Sequence, residues 1–219
     1  MLDIFVLYLH IASAVLLMGS TLASRLAEGA LRGAPNLATL RGSLDVVHST
    51  TRFNPPLAMI LLISGAYLGE GGWWSTMWFW VAVATWFSNL LLAVRFVVPG
   101  HQSLGIAAAQ AGDGQIPAAI DALRRAVVPA VALDVMIGLD FGTLLIMVFK
   151  PDGATAWLWP LLCVAASCAI RFARNLYASA RTAPTAAARA SSRSSQRSWP
   201  PAPCQRRLRV GSTRRKPVR

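Results

Sequence analysis

The chain has 219 residues, 55% of them hydrophobic and 14% charged, with a mean hydropathy of +0.49. Soluble domains carry roughly 25% charged residues, so the composition argues against a soluble globular domain and for a membrane protein. The net charge of +12 belongs to the end of the chain: residues 178–219 hold eleven Lys and Arg and no acid, whereas 1–177 hold ten basic and nine acidic groups.

In chain order, apolar runs cover 4–24, 57–68, 73–98, 128–149 and 156–170. About 20 residues of helix cross a ~30 Å hydrocarbon core, so the expected fold class is all-α: a polytopic membrane helix bundle with five transmembrane helices. The first run carries Asp3 and no Lys or Arg near its start. It is too long for the apolar part of a cleavable signal peptide and reads as a retained span.

The second run has a prelude. Leu37, Leu40, Leu44, Val47 and Thr51 repeat at helical spacing after Pro35 and Asn36, which predicts an amphipathic helix with an asparagine cap. Pro55 and Pro56 predict a kink or break just beyond it. Whether 37–54 lies on the membrane surface or within it is open at this level. Gly112-Asp113-Gly114, Pro117 and the stripe Ile116, Ile120, Leu123, Val127 predict a turn and then a helix at the membrane surface.

Orientation follows from the loops. Arg25, Arg32, Arg41 and Arg52 follow the first run, Arg124 and Arg125 precede the fourth, and Arg171 and Arg174 follow the fifth. The other two connections have only Glu70 and the pair Lys150 and Asp152. The positive-inside rule then places the N-terminus outside and the C-terminus in the cytoplasm. Trp73, Trp74, Trp78, Trp157 and Trp159 start runs three and five and form the outer aromatic belt.

The expected organisation is a four-helix membrane core over 1–151, an additional transmembrane helix within 152–177, and a basic disordered cytoplasmic tail over 178–219. That tail has no apolar period. It is expected to attract anionic lipid, and no nucleic-acid partner is expected, since no folded basic surface accompanies it. Beyond the bilayer, the partners in view are a second copy of the chain or another membrane protein.

Ionisable groups inside spans mark functional candidates. They are His10, Arg95, Asp134 and Asp140, with His48 and His101 near a boundary. At ~1.5 Å per residue, His10 lies about 6 Å outside the middle of its run, Asp140 near the middle of run four, and Asp134 about 7 Å further in. Arg95 lies about 13 Å in. Height therefore pairs His10 with Asp140 and Arg95 with Asp134. It separates His10 from His48, which disfavours those two as the axial ligands of one haem b. His10 alone, or His48 with His101, keeps a haem-binding or metal-binding redox role open.

His10, Ser13, Leu17, Ser20 and Ser24 line one helical face with small hydroxyl groups that suit helix packing. Gly65-Ala66-Tyr67-Leu68-Gly69 and Gly138-Leu139-Asp140-Phe141-Gly142 are GxxxG motifs, which permit close approach of helices. Cys163, Cys168 and Cys204 form no CxxC or zinc spacing and read as small core residues. No metal site, Ser/His/Asp set, P-loop or HExxH motif is present, and no catalytic residue is assigned.

Leu9-His10-Ile11 followed by Leu16-Leu17-Met18-Gly19, then Leu62-Ile63-Ser64-Gly65-Ala66-Tyr67-Leu68, then 142–149 running into Lys150-Pro151, resemble a family of small bacterial integral membrane proteins of unknown function. The resemblance implies the four-helix core and a multi-pass protein of the bacterial inner membrane. The first helix more distantly resembles copper-resistance-D-type proteins and the haem-binding protoporphyrinogen oxidase of the J type. The sequence departs from the latter in having no tryptophan on the His10 helix. The expected role is a non-enzymatic membrane component with a His–Asp contact in its bundle, and the alternative is a haem-b or metal-binding redox protein.

Overall fold

The computed structural model describes the backbone of residues 1–196 and the side chains of residues 1–177. Contacts divide the chain into two units, Met1–Ala173 and Arg174–Arg219. The described residues form helices and no strand. Eight α-helices follow one another: α1 Leu2–Gly33, α2 Leu37–Thr51, α3 Asn54–Gly69, α4 Met77–Leu92, α5 Val98–Gln110, α6 Ala118–Arg124, α7 Val127–Phe149 and α8 Thr155–Gln196. A 3-10 turn at Trp73–Ser75 precedes α4, and a π-turn at Ala93–Val97 joins α4 to α5. Among the described residues four helical stretches are long and apolar enough to cross a membrane: Leu2–Gly33, Met77–Gln110, Ala118–Phe149 and Thr155–Tyr177.

The frame of the first unit is α1, whose 32 residues make a rod of about 48 Å. Ser13, Ser20, Thr21, Ser24, Ala27, Glu28 and Leu31 are its buried residues. Small side chains on that face let neighbouring helices come close. Both α2 and α3 run back along α1 in the opposite direction. Ser20 donates to the Thr50 carbonyl (3.4 Å), His10 meets Ser64 (3.1 Å), and Tyr67 donates to Asp3 (2.9 Å). Together α2 (15 residues) and α3 (16 residues) match the length of α1 in two pieces.

The sequence explains both the start and the break of that composite. The side chain of Asn36 accepts from the Thr39 N–H at 2.9 Å and satisfies a donor that the first turn leaves free. Leu37, Leu40 and Val47, on the expected stripe, are buried. The break falls at Arg52 and Phe53, and Pro55 and Pro56 occupy the first turn of α3. At that position a missing N–H breaks no helical bond.

A second antiparallel pair is α4 with α7. Thr85 meets Thr143 (2.7 Å), Asn89 meets Asp140 (2.7 Å), and Val97 packs with Ala132 and Leu133. The first part of α8 then lies against α7. A Cβ on Gly138 would come 2.5 Å from the Val164 Cα, and one on Gly142 would overlap Pro160. The division expected after residue 151 thus falls inside the first contact unit.

The two ends of the first unit differ in chemistry. At the tryptophan-rich end, Trp78, Phe79, Val81 and Ala82 pack with Ile146 and Ala156. There Lys150, in the left-handed conformation (φ 45°), closes α7 and lies 4.6 Å from the Trp73 ring centroid. At the arginine-rich end, Ala27, Leu31, Leu37, Leu40, Val47, Leu104, Ala108 and Ile120 form a separate hydrophobic cluster from α1, α2, α5 and α6. Arginines close the helix ends around it. Arg124 donates to the Leu31 and Ala34 carbonyls (3.2 and 2.7 Å), and Arg41 donates to those of Ala108 and Ala111 (3.0 and 2.6 Å). A guanidinium suits such an end because the last carbonyls lack partners and carry the negative end of the helix dipole.

The tail expectation needs one correction. Helix α8 continues to Gln196, so residues 178–196 are helical where disorder was expected. Alanine and arginine are both strong helix formers and need no apolar period to form a helix. The rest of the expected tail, 197–219, lies outside the described residues.

Candidate functional site

Polar side chains lie between the helices at three levels. Nearest the tryptophan-rich end, Nδ1 of His10 on α1 is 3.1 Å from the Ser64 hydroxyl on α3. Ser64 also bonds the Ile60 carbonyl at 2.6 Å, so its hydroxyl is held by its own helix. The imidazole fits because Gly65 has no side chain: a Cβ there would lie 3.1 Å from Cε1 of His10. Gly69, one turn on, gives the same space to the rings of Trp74 and Phe79. The α3 glycines are thus seats for rings, whereas Gly138 and Gly142 on α7 meet the backbone of α8.

At mid-height, Asn89 on α4 donates to Asp140 on α7 at 2.7 Å, and Thr21 on α1, whose hydroxyl donates to the Leu17 carbonyl of its own helix at 3.1 Å, lies beside that carboxyl group. The neighbouring Thr85–Thr143 contact (2.7 Å) ties the same two helices. Three helices therefore converge on one acid.

Toward the arginine-rich end, Asp134 takes two cations. Nε of Arg25 lies 2.5 Å from Oδ1, and Nη1 of Arg171 lies 2.6 Å from Oδ2. This triad joins α1, α7 and α8, and the Asp134 side chain is 8% exposed. One turn further along α1, the buried Glu28 carboxylate bonds Nε of Arg32 at 2.9 Å. Its other oxygen is 3.5 Å from Nε2 of His101, beyond ordinary hydrogen-bond length.

Two expected pairs are replaced by others. His10 is bonded to Ser64 and Asp140 to Asn89. The reason is the length of α1. The middle of the apolar run 4–24 is not the middle of the helix, which runs to Gly33. Asp140 is level with Thr21, eleven residues or about 16 Å along α1 from His10. Arg95 is not the partner of Asp134, whose two oxygens meet Arg25 and Arg171. Arg95 is exposed on the π-turn, with its guanidinium 5.8 Å from the Phe96 ring. A π-turn admits an extra residue and shifts the helical register, so a 3.6-residue count misplaces it.

The three histidines have separate surroundings: His10 against Ser64, His101 facing Glu28, and His48 exposed on α2. Among the described residues no three His, Cys, Asp or Glu side chains gather in a metal-ligating group.

Arg25, Arg171, Asn89, Ser64 and Thr21 were not singled out as partners in the sequence. The arginines read there as loop charges, because apolar runs end before the helices do. No family model, curated protein or solved structure matches the chain.

Proposed function

We propose that the protein is a non-enzymatic, multi-pass component of a bacterial inner membrane, with its N-terminus outside and its C-terminus in the cytoplasm. On this reading the chain crosses five times, the second crossing being made by α3 continued by α2. The arginine-rich end faces the cytoplasm, in keeping with the positive-inside rule, and the tryptophan-rich end lies in the outer interface.

One observation carries the architectural role. Polar groups are paired across helices in His10–Ser64, Asn89–Asp140, Thr85–Thr143 and Arg25–Asp134–Arg171. Paired polar groups hold membrane helices together and fix their rotation, each contact contributing about 0.6–2 kcal/mol. The resemblance to small membrane proteins of unknown function accords with this role.

Proteoliposomes loaded with a pH-sensitive dye test it. The expected result is no proton flux above that of empty liposomes, together with a lower unfolding temperature for Asp140→Asn. Flux that Asp140→Asn abolishes while the protein stays folded would replace the architectural role with a proton path. A Soret band in the purified protein, lost in His10→Ala, would replace it with haem binding.

A further inference from the structure

The charges around Asp134 do not balance. Arg25 and Arg171 share this one carboxylate, and Glu28 is engaged by Arg32. Three arginines face two acids, leaving one positive charge in excess. Uncompensated charge in a poorly hydrated site is costly, and a second anion relieves it.

Donor capacity says the same. A guanidinium offers five N–H groups. Arg25 uses Nε and Arg171 uses Nη1 on Asp134, and among the described residues no other acceptor bonds either group. Both side chains stay partly accessible, at 20% and 13% exposure.

Depth and surroundings select the ligand. Counted from the tryptophan-rich ends of α7 and α8, Asp134 lies about 22 Å along its helix and Arg171 about 24 Å. In a ~30 Å core these positions are near the far boundary, within reach of lipid phosphates for a long side chain. Leu26, Ile170 and Phe172, the chain neighbours of the two arginines, are 78%, 60% and 65% exposed. Large apolar side chains beside the cations suit lipid chains beneath a headgroup, not a water-filled anion pocket. We propose that Arg25 and Arg171, spaced by Asp134 across α1, α7 and α8, bind the phosphate of an anionic lipid. The site rests on the membrane reading above, and its orientation decides only which leaflet supplies the lipid.

Thermal unfolding of the full chain in detergent tests this, with added phosphatidylglycerol, phosphatidylcholine or inorganic phosphate. Phosphatidylglycerol is expected to raise the unfolding temperature of the native protein well above the effect of phosphatidylcholine, and inorganic phosphate to leave it unchanged. Arg171→Gln is expected to weaken the apparent affinity for phosphatidylglycerol about fivefold, the equivalent of the ~1 kcal/mol that one arginine supplies at an anionic surface.

Asp134→Asn is the second variant. It raises the excess charge, so it should be less stable in phosphatidylcholine yet gain more than the native protein from phosphatidylglycerol. A purely structural ion pair predicts loss of stability without that added gain. The basic segment after residue 178 is common to all three proteins, so differences among them report the triad.

Equal effects of the two lipids on the native protein would overturn the site. So would a native-sized phosphatidylglycerol gain in both variants. An equal shift with inorganic phosphate would make it a free-anion site instead. Labelling of single cysteines tests the topology separately, so either reading can fail alone.

Discussion

Arg124 and Arg125 are neighbours with different work. The Arg124 side chain is 9% exposed, pairs with Asp121 and bonds the Leu31 and Ala34 carbonyls. Arg125 also pairs with Asp121 but is 63% exposed. Removing a buried donor leaves its acceptors unsatisfied at about 1–3 kcal/mol, whereas an exposed ion pair contributes about 0–1 kcal/mol. Arg124→Met should therefore lower the unfolding temperature in detergent clearly, and Arg125→Met should barely move it. Similar losses in both would show that the α1 end is not held by Arg124. Nothing in the dipeptide distinguishes the two residues, because the distinction depends on which side chain turns toward the end of α1.

Among elements, the two GxxxG motifs give the sharper contrast. The added Cβ of Gly65→Ala meets the movable ring of His10, while that of Gly138→Ala meets the backbone of α8. A side chain can rotate away, but a helix backbone must shift as a whole. Gly65→Ala is expected to cost about 1 kcal/mol or less, and Gly138→Ala to fall in the overpacking range of about 1–3 kcal/mol, measured by unfolding in detergent. Equal losses would mean that both motifs meet backbone. Much at this scale was legible. The stripe from Leu37, the Asn36 cap and the paired prolines foretold α2, its start and the start of α3. Azimuth was not legible: residue counting returns a height along the membrane normal but not the side of a helix that a group occupies. Asp134 thus received Arg95 in place of Arg25 and Arg171. The π-turn could not be foreseen either, since its five residues Ala93–Val97 are ordinary helix formers in an apolar run.

For the whole molecule, apolar composition foretold a helical membrane-type chain, and four helices meet the requirement for crossing. The proposed fifth crossing and orientation rest on the positive-inside rule. With single cysteines at Gly71 and Gly112, a membrane-impermeant maleimide added to intact spheroplasts should label the first and spare the second until the membrane is opened. Labelling of the second alone would invert the orientation. Protection of both would place one of these connections inside the bilayer.

The unbroken length of α1 has a mechanical consequence. His10, seated on α3, and Leu31, whose carbonyl is bonded by Arg124, belong to one rod of 32 residues. They lie about 32 Å apart along it, with Thr21 and Arg25 between them. A continuous helix has a fixed rise per residue, so the spacing between the His10 seat and the Arg124 clasp is set by α1 itself. The two ends of the bundle are tied to one ruler.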